Sequence, residues 1–318
     1  MKYIIMLMVL FSSVYAKQLI DAQYIYKVDS GVVTDLLCQD DTLYVATDDG
    51  NVELFDRVTK KPLKSIHLEK IKDFMGDEVD SKIFSIDMLD NNLLILSQDS
   101  GGYSRVHLYD KEGVLKKVVS KEDMLNIIKA KFIDKDTILI ALISNDIISY
   151  NIKTKKKNWV TQASMSKFSS FALNNDRSLV AIADESGDVH LLSIKDGSVV
   201  KKLSGENVDN IFSIAFRGDI VLTGGQDRRA AVYNIKNGNK YYKASKFFVY
   251  GVGLSPSAAI GAYSSDLQNN VTLFNTQTGE PLGTYKSNKT IVNGIYFINE
   301  KEFFINSSAK SVGYYKVQ

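Results

Sequence analysis

Along most of its length the chain alternates short apolar runs with tight polar turns. The clearest stretch is Asn210 to Asn239, NIFSIAFRGDIVLTGGQDRRAAVYNIKNGN, which predicts three strands, IFSIAF, DIVLTGG and RAAVYNI, closed by the turn KNGN. β-Branched and aromatic residues fill the runs, and Asp, Asn and Gly separate them, a strand pattern rather than a 3.6-residue helical one. One such unit has too little material to bury its own faces. It recurs. The third run appears as VELFD from Val52, VHLYD from Val106, IISYN from Ile147, VHLLS from Val189, AAVYN from Ala230, VTLFN from Val271 and VGYYK from Val312. The successive spacings are 54, 41, 42, 41, 41 and 41 residues.

Seven four-stranded units of roughly 40 residues predict an all-β, seven-bladed β-propeller, in which each blade is covered on both sides by its neighbours. That burial accounts for strands apolar on both faces rather than cleanly alternating. The first blade reads VVTDLLC, TLYVATDDG, NVELFDRV and PLKSIHL. Before it, Lys17 to Ser30 holds one strand, AQYIYKV, with no blade of its own, while the chain stops at Gln318 just after the seventh third strand. The N-terminal strand is therefore expected to pair in the last blade, closing the ring and removing an open edge. The expected organisation is a signal peptide over residues 1–16 and a single propeller over residues 17–318.

Residues 1–16, MKYIIMLMVLFSSVYA, place one Lys before an apolar run and small residues before Ala16. The apolar core is too short to cross a bilayer of about 30 Å, so it reads as a cleavable export signal, and the protein is expected in the periplasm. No Cys follows the cleavage site and no later stretch is apolar enough to span, so neither a lipid anchor nor a membrane span is expected. Lys and Arg number 39 against 37 Asp and Glu, a balance that argues against a nucleic-acid binder. Cys38 is the only cysteine, which excludes an internal disulfide and a CxxCH haem attachment; at the end of a strand it reads as a small buried apolar group.

The unit resembles the WD40 repeat in a degenerate form. The Trp-Asp dipeptide of that family stands here as Phe55-Asp56, Tyr109-Asp110, Tyr150-Asn151, Leu192-Ser193, Tyr233-Asn234 and Phe274-Asn275, and the Gly-His dipeptide is missing throughout. Trp159, in KTKKKNWVT, resembles instead the fourth-strand Trp of quinoprotein-like propellers. The signal and repeats such as ATDDGNVELFD, AIADESGDVHLLSIKDG and TGGQDRRAAVYNIKNG are similar to the NapL family, WD40-like periplasmic accessory proteins associated with nitrate reductase genes in epsilonproteobacteria. The resemblance implies a non-catalytic role with a protein partner, a periplasmic nitrate reductase subunit or maturation factor, in assembly of the reductase or electron supply to it. With one Cys the chain cannot attach c-type haem or hold an iron–sulfur cluster, which favours scaffolding.

The 54-residue spacing comes from an insertion, EKIKDFMGDEVDS, between the first two blades. Leu68, Ile71, Phe74 and Met75 recur at helical spacing and Gly76 is placed to end a short helix. An extra loop on a rigid scaffold is a natural partner site, so Ile71, Phe74, Met75, Asp77 and Glu78 are candidate contacts. Connections between second and third strands, and between blades, share one face and collect Asp48, Asp49, Asp99, Asp146, Asp184, Glu185 and Asp227; Lys pairs follow the turns of the other face. One acidic and one basic face are expected, able to orient a partner.

Candidate chemistry is sparse. His67, His107 and His190 cannot converge on one metal, and no Ser/His/Asp set, phosphate loop or paired metal-ligand spacing is present. No cofactor is expected. Aligning first strands brings Asp35, Ser85, Lys129, Ser170, Ser213, Gly251 and Gly294 to one position, and Leu37, Asp87, Lys131, Ala172, Ala215, Gly253 and Tyr296 to the next inward one. Asp35, Asp87, Lys129 and Lys131 are thus candidate channel-lining charges. A lactonase-like propeller hydrolase and an outer-membrane-assembly scaffold are the alternatives to an interaction platform. The first normally gathers carboxylates or His around a metal, and the second shows eight blades with recurrent Trp.

Overall fold

The computed structural model describes residues 19–318, so the expected signal peptide over 1–16 lies outside the described residues. Seven antiparallel meanders stand in a ring, at residues 33–67, 83–119, 127–162, 168–203, 211–244, 252–285 and 292–316, here called blades 1 to 7. In each of blades 1 to 6 four strands run outward in chain order, the first lining the axis and the fourth facing solvent. Blade 7 has three strands of its own, and Tyr24–Lys27 supplies its fourth, antiparallel to Ser311–Lys316 with Tyr26 opposite Val312. The ring is a seven-bladed β-propeller closed as the sequence pattern predicts.

The apolar positions form seven clusters, each lying between consecutive blades. Leu94, Leu96, Phe132, Ile138 and Ile140 join blades 2 and 3, for example, and Tyr26, Leu43, Phe55, Phe304 and Val312 join blades 7 and 1. Each fully buried Leu, Ile or Phe contributes about 1.5–3 kcal/mol. The stabilisation is thus spread around the ring rather than held at one centre. Toward the axis the blades converge, and Gly253 of blade 6 lies so close to the backbone of Ile295 in blade 7 that a Cβ would collide with it.

Two features differ from the sequence-based expectation. The insertion forms no helix. Ile71–Lys72 pairs with Glu78–Val79 as a small hairpin, and the Asp73 carboxylate accepts from the amides of Met75 (2.8 Å) and Asp77 (3.0 Å) to shape its turn. Gly76, at φ 90°, takes the left-handed position of that turn. Leu68 and Ile71 are buried while Phe74 and Met75 are exposed, an inward–outward split served as well by a hairpin as by a helix. Second, Leu19–Ile20 adds a parallel fifth strand to the edge of blade 6, Ile20 opposite Tyr285. The N-terminal segment therefore straps two blades, not one.

The turns explain the degenerate dipeptides. Asp56, Asn151, Asn234 and Asn275 each use a side-chain oxygen to accept two backbone amides of the following turn. The Asn275 pair, at 2.8 and 3.0 Å from Gln277 and Thr278, is typical. Only an acceptor is required there, so Asp and Asn interchange. The preceding position is a buried apolar anchor, as at Phe55, Tyr150, Leu192, Tyr233 and Phe274.

Candidate functional site

Two surfaces gather chemistry: the lumen and one face of the ring. The lumen is a cavity of about 610 Å³ bordered by the first strands. The register read from sequence largely holds, since Asp35, Asp87, Lys129, Lys131, Ser170, Ser213 and Tyr296 all border it. Ser85 is instead turned into the joint between blades 2 and 3, where its hydroxyl contacts the Ala130 backbone.

Both carboxylates are occupied. Asp35 accepts from the amides of Leu36 and Ile86, each at 2.9 Å. Asp87 accepts from the Phe132 amide and from the Arg177 guanidinium, each at 2.8 Å. The Lys131 ammonium lies 3.9 Å from Asp35 and 4.0 Å from Asp87, and donates to the Ile86 carbonyl at 2.6 Å. These groups pin blades 1, 2 and 3 together. Arg177, from the first turn of blade 4, reaches across blade 3 to do so. Nothing local marks it in the sequence, because that reach exists only once the ring is built. Arg217 is the other lumen cation missed from sequence, and among the described residues its guanidinium donates only to the neighbouring Phe216 carbonyl, at 3.1 Å.

Lys129 has no carboxylate within ion-pair distance among the described residues. Its ammonium donates to the Ser170 hydroxyl at 3.0 Å and lies 5.4 Å from the centre of the Phe171 ring. Burial first, and the nearby Lys131 charge second, bring its pKa down to about 8, although part of the side chain remains open to the lumen. Cys38 borders the same cavity, half-buried rather than fully buried as expected, and burial pushes its thiol up to about 11. At neutral pH it is a protonated, weak nucleophile. Among the described residues no three His, Cys, Asp or Glu side chains are grouped to hold a metal. His107 is buried, His190 lies 3.8 Å from Asp184, and His67 pairs with Asn51 on the surface.

The ring face formed by connections between blades and between second and third strands is acidic, as expected. Several of its Asp residues also have local tasks. Asp48 accepts from the Val32 amide at 2.7 Å, Asp99 from Lys121 at 3.0 Å and Asp227 from Val208 at 2.9 Å, each fixing an incoming connection. Asp184, fully buried, accepts from Ser164 and Asn145. The opposite face is not basic, which corrects the expectation. Asp40, Asp41, Asp90 and Asp219 offset its Lys and Arg, and Lys116-Lys117, Lys156-Lys157 and Lys201-Lys202 fall on the solvent-facing fourth strands, while Lys60-Lys61 stays in its turn.

The acidic face also carries exposed apolar side chains around the ring. Phe74 (85% exposed) and Met75 (87%) tip the insertion hairpin, Met124 and Met165 (90%) follow on the next two connections, and Val208, Leu267 and Ile291 continue the series. Phe212, Phe247, Phe248 and Tyr250 form a half-exposed aromatic group there, with Phe212 and Tyr250 stacked at 5.2 Å. Among the described residues, the opposite face offers only Val58 and Val114 as large exposed apolar groups on its turns. Of the candidate partner contacts, Phe74, Met75, Asp77 and Glu78 point outward, whereas Ile71 is 5% exposed and anchors the hairpin from beneath. Arg105, buried on blade 2, donates to the Glu69 carbonyl and ties the hairpin down.

No helix among the described residues is long and apolar enough to cross a membrane. The chain matches no protein-family model, and comparison with curated proteins gives no match either.

Proposed function

We propose that this propeller is an exported, non-catalytic platform that binds a protein partner on its acidic, apolar-studded face. The observation that carries the reading is the asymmetry between the two faces: Phe74, Met75, Met124, Met165, Val208, Leu267 and Ile291 all stand on one of them. Large exposed apolar groups brought together on a rigid frame are a feature of interaction surfaces. Surrounding carboxylates such as Asp73, Asp77, Glu78 and Glu185 favour a partner whose matching surface is apolar at its centre and basic at its edge.

The partner we propose, on the sequence resemblance to NapL, is a periplasmic nitrate reductase subunit or its maturation factor. A scaffold in assembly of the reductase fits a chain with one cysteine better than a direct electron carrier does. Deleting the gene in a nitrate-respiring host is expected to slow periplasmic nitrate reduction, and re-supplying the wild-type protein to restore it. Unchanged nitrate reduction in the deletion strain would remove the assignment to this pathway.

A further inference from the structure

We propose that the central channel is a binding site for a small oxyanion, a carboxylate or phosphate in chemistry, with Lys129 as its counter-charge. The charged residues bordering the cavity are Asp35, Asp87, Lys129, Lys131, Arg177 and Arg217, so the lumen carries more cationic than anionic groups. The two carboxylates are committed to Lys131, to Arg177 and to backbone amides. They leave Lys129 and Arg217 without a carboxylate partner among the described residues.

Two hydroxyls border the same lumen, that of Ser170 directly beside Lys129. The Ser170 oxygen accepts from Lys129 at 3.0 Å and the Ser213 oxygen accepts from the Val252 amide at 3.2 Å. Each hydroxyl therefore keeps its own proton free to donate into the lumen. Inside a cavity walled by protein, a cation without a partner is costly, and an incoming anion relieves that cost more strongly than it would at an open surface. A volume of about 610 Å³ admits a small metabolite-sized anion and excludes a folded partner. The site stands whether or not the acidic face binds a protein.

Lys129 faces Lys131, Asp35 and Asp87 from the first three blades and Ser170 and Phe171 from the fourth. Burial, and Lys131 beside it, lower its amine's pKa to about 8, and a bound anion favours the protonated form. Affinity is then highest below pH 8 and falls as pH rises beyond it, by up to tenfold per unit.

Calorimetric titration of the full chain with inorganic phosphate and, separately, citrate, at pH 7 and constant ionic strength in chloride, tests the proposal. The expected result is saturable one-site binding of at least one probe, the responding probe assigning the oxyanion class. That binding is expected to weaken at least tenfold in Lys129→Met and in Lys129→Gln and to stay unchanged in Lys64→Gln on the outer rim. Melting curves establish that each variant is folded, and the second variant covers misfolding of the first. Absence of saturable binding by both probes, or wild-type affinity in folded Lys129→Met and Lys129→Gln, would overturn it.

Discussion

Lys129 is the residue at which fold and chemistry pull in opposite directions. Folding lowers its pKa from 10.5 to about 8, so at neutral pH the charged amine costs stability, and that cost fades as pH rises from 8 toward 10.5. Lys129→Met is predicted to be more stable than wild type at pH 7 by about 1–2 kcal/mol, part of the full cost being screened by lumen water. The gain should vanish near pH 10.5, which denaturant titrations at the two pH values will check. His107 acts in the other pH range. Burial, with Arg105 and Lys117 adding repulsion, lowers its pKa from 6.5 to about 4, so stability is held above pH 6.5 and lost as pH falls through 4. His107→Leu should flatten that acid loss, which amounts to about 2–3 kcal/mol, in melts run between pH 7 and 4. Sequence identified both residues and their strands, yet it left Lys129 as one of two Lys facing two Asp. The actual pairing depends on Arg177, whose role is legible only in the closed ring.

At the scale of elements, the strands were legible because their cause is local. Apolar runs of five to seven residues ended by an Asx turn recur often enough to reveal one another, and the structure returns them at the predicted positions. The insertion was not legible in the same way. Leu68, Ile71, Phe74 and Met75 satisfy a helical spacing, but Asp73 and Gly76 favour a turn, and side-chain capture of two amides decides between them. Asp73→Ala is predicted to raise amide exchange across residues 71–79 while shifting global stability by no more than about 1 kcal/mol. The two-residue strand Leu19–Ile20 was missed because a pattern that short carries no periodicity. The fourth strands of the blades carry Lys27, Lys64, Lys116, Lys156, Lys201 and Lys240 and no Asp or Glu, so exposed edges that otherwise invite pairing with another chain carry like charge instead. The lysines were visible in sequence; their placement on the rim rather than on a face required knowing where each turn ends.

At the scale of the whole molecule, ring closure and the proposed docking face carry the account. Tyr26 is buried in the joint between blades 7 and 1, with the rings of Phe55 and Phe304 at 5.5 and 6.0 Å and the Lys60 ammonium donating to its hydroxyl at 3.0 Å. Tyr26→Ala is predicted to cost about 3–5 kcal/mol in equilibrium unfolding, far more than the same change at exposed Tyr24. The proposed docking face is most directly tested by photo-crosslinking in cells of the native host. A photoreactive residue replaces Phe74 or Met165 on that face, Val58 or Val114 on the opposite one, and Val199 on the rim. The account predicts a discrete adduct from the first pair alone, containing a subunit or maturation factor of the reductase. Adducts arising from Val58, Val114 or Val199, with none from Phe74 or Met165, would contradict it.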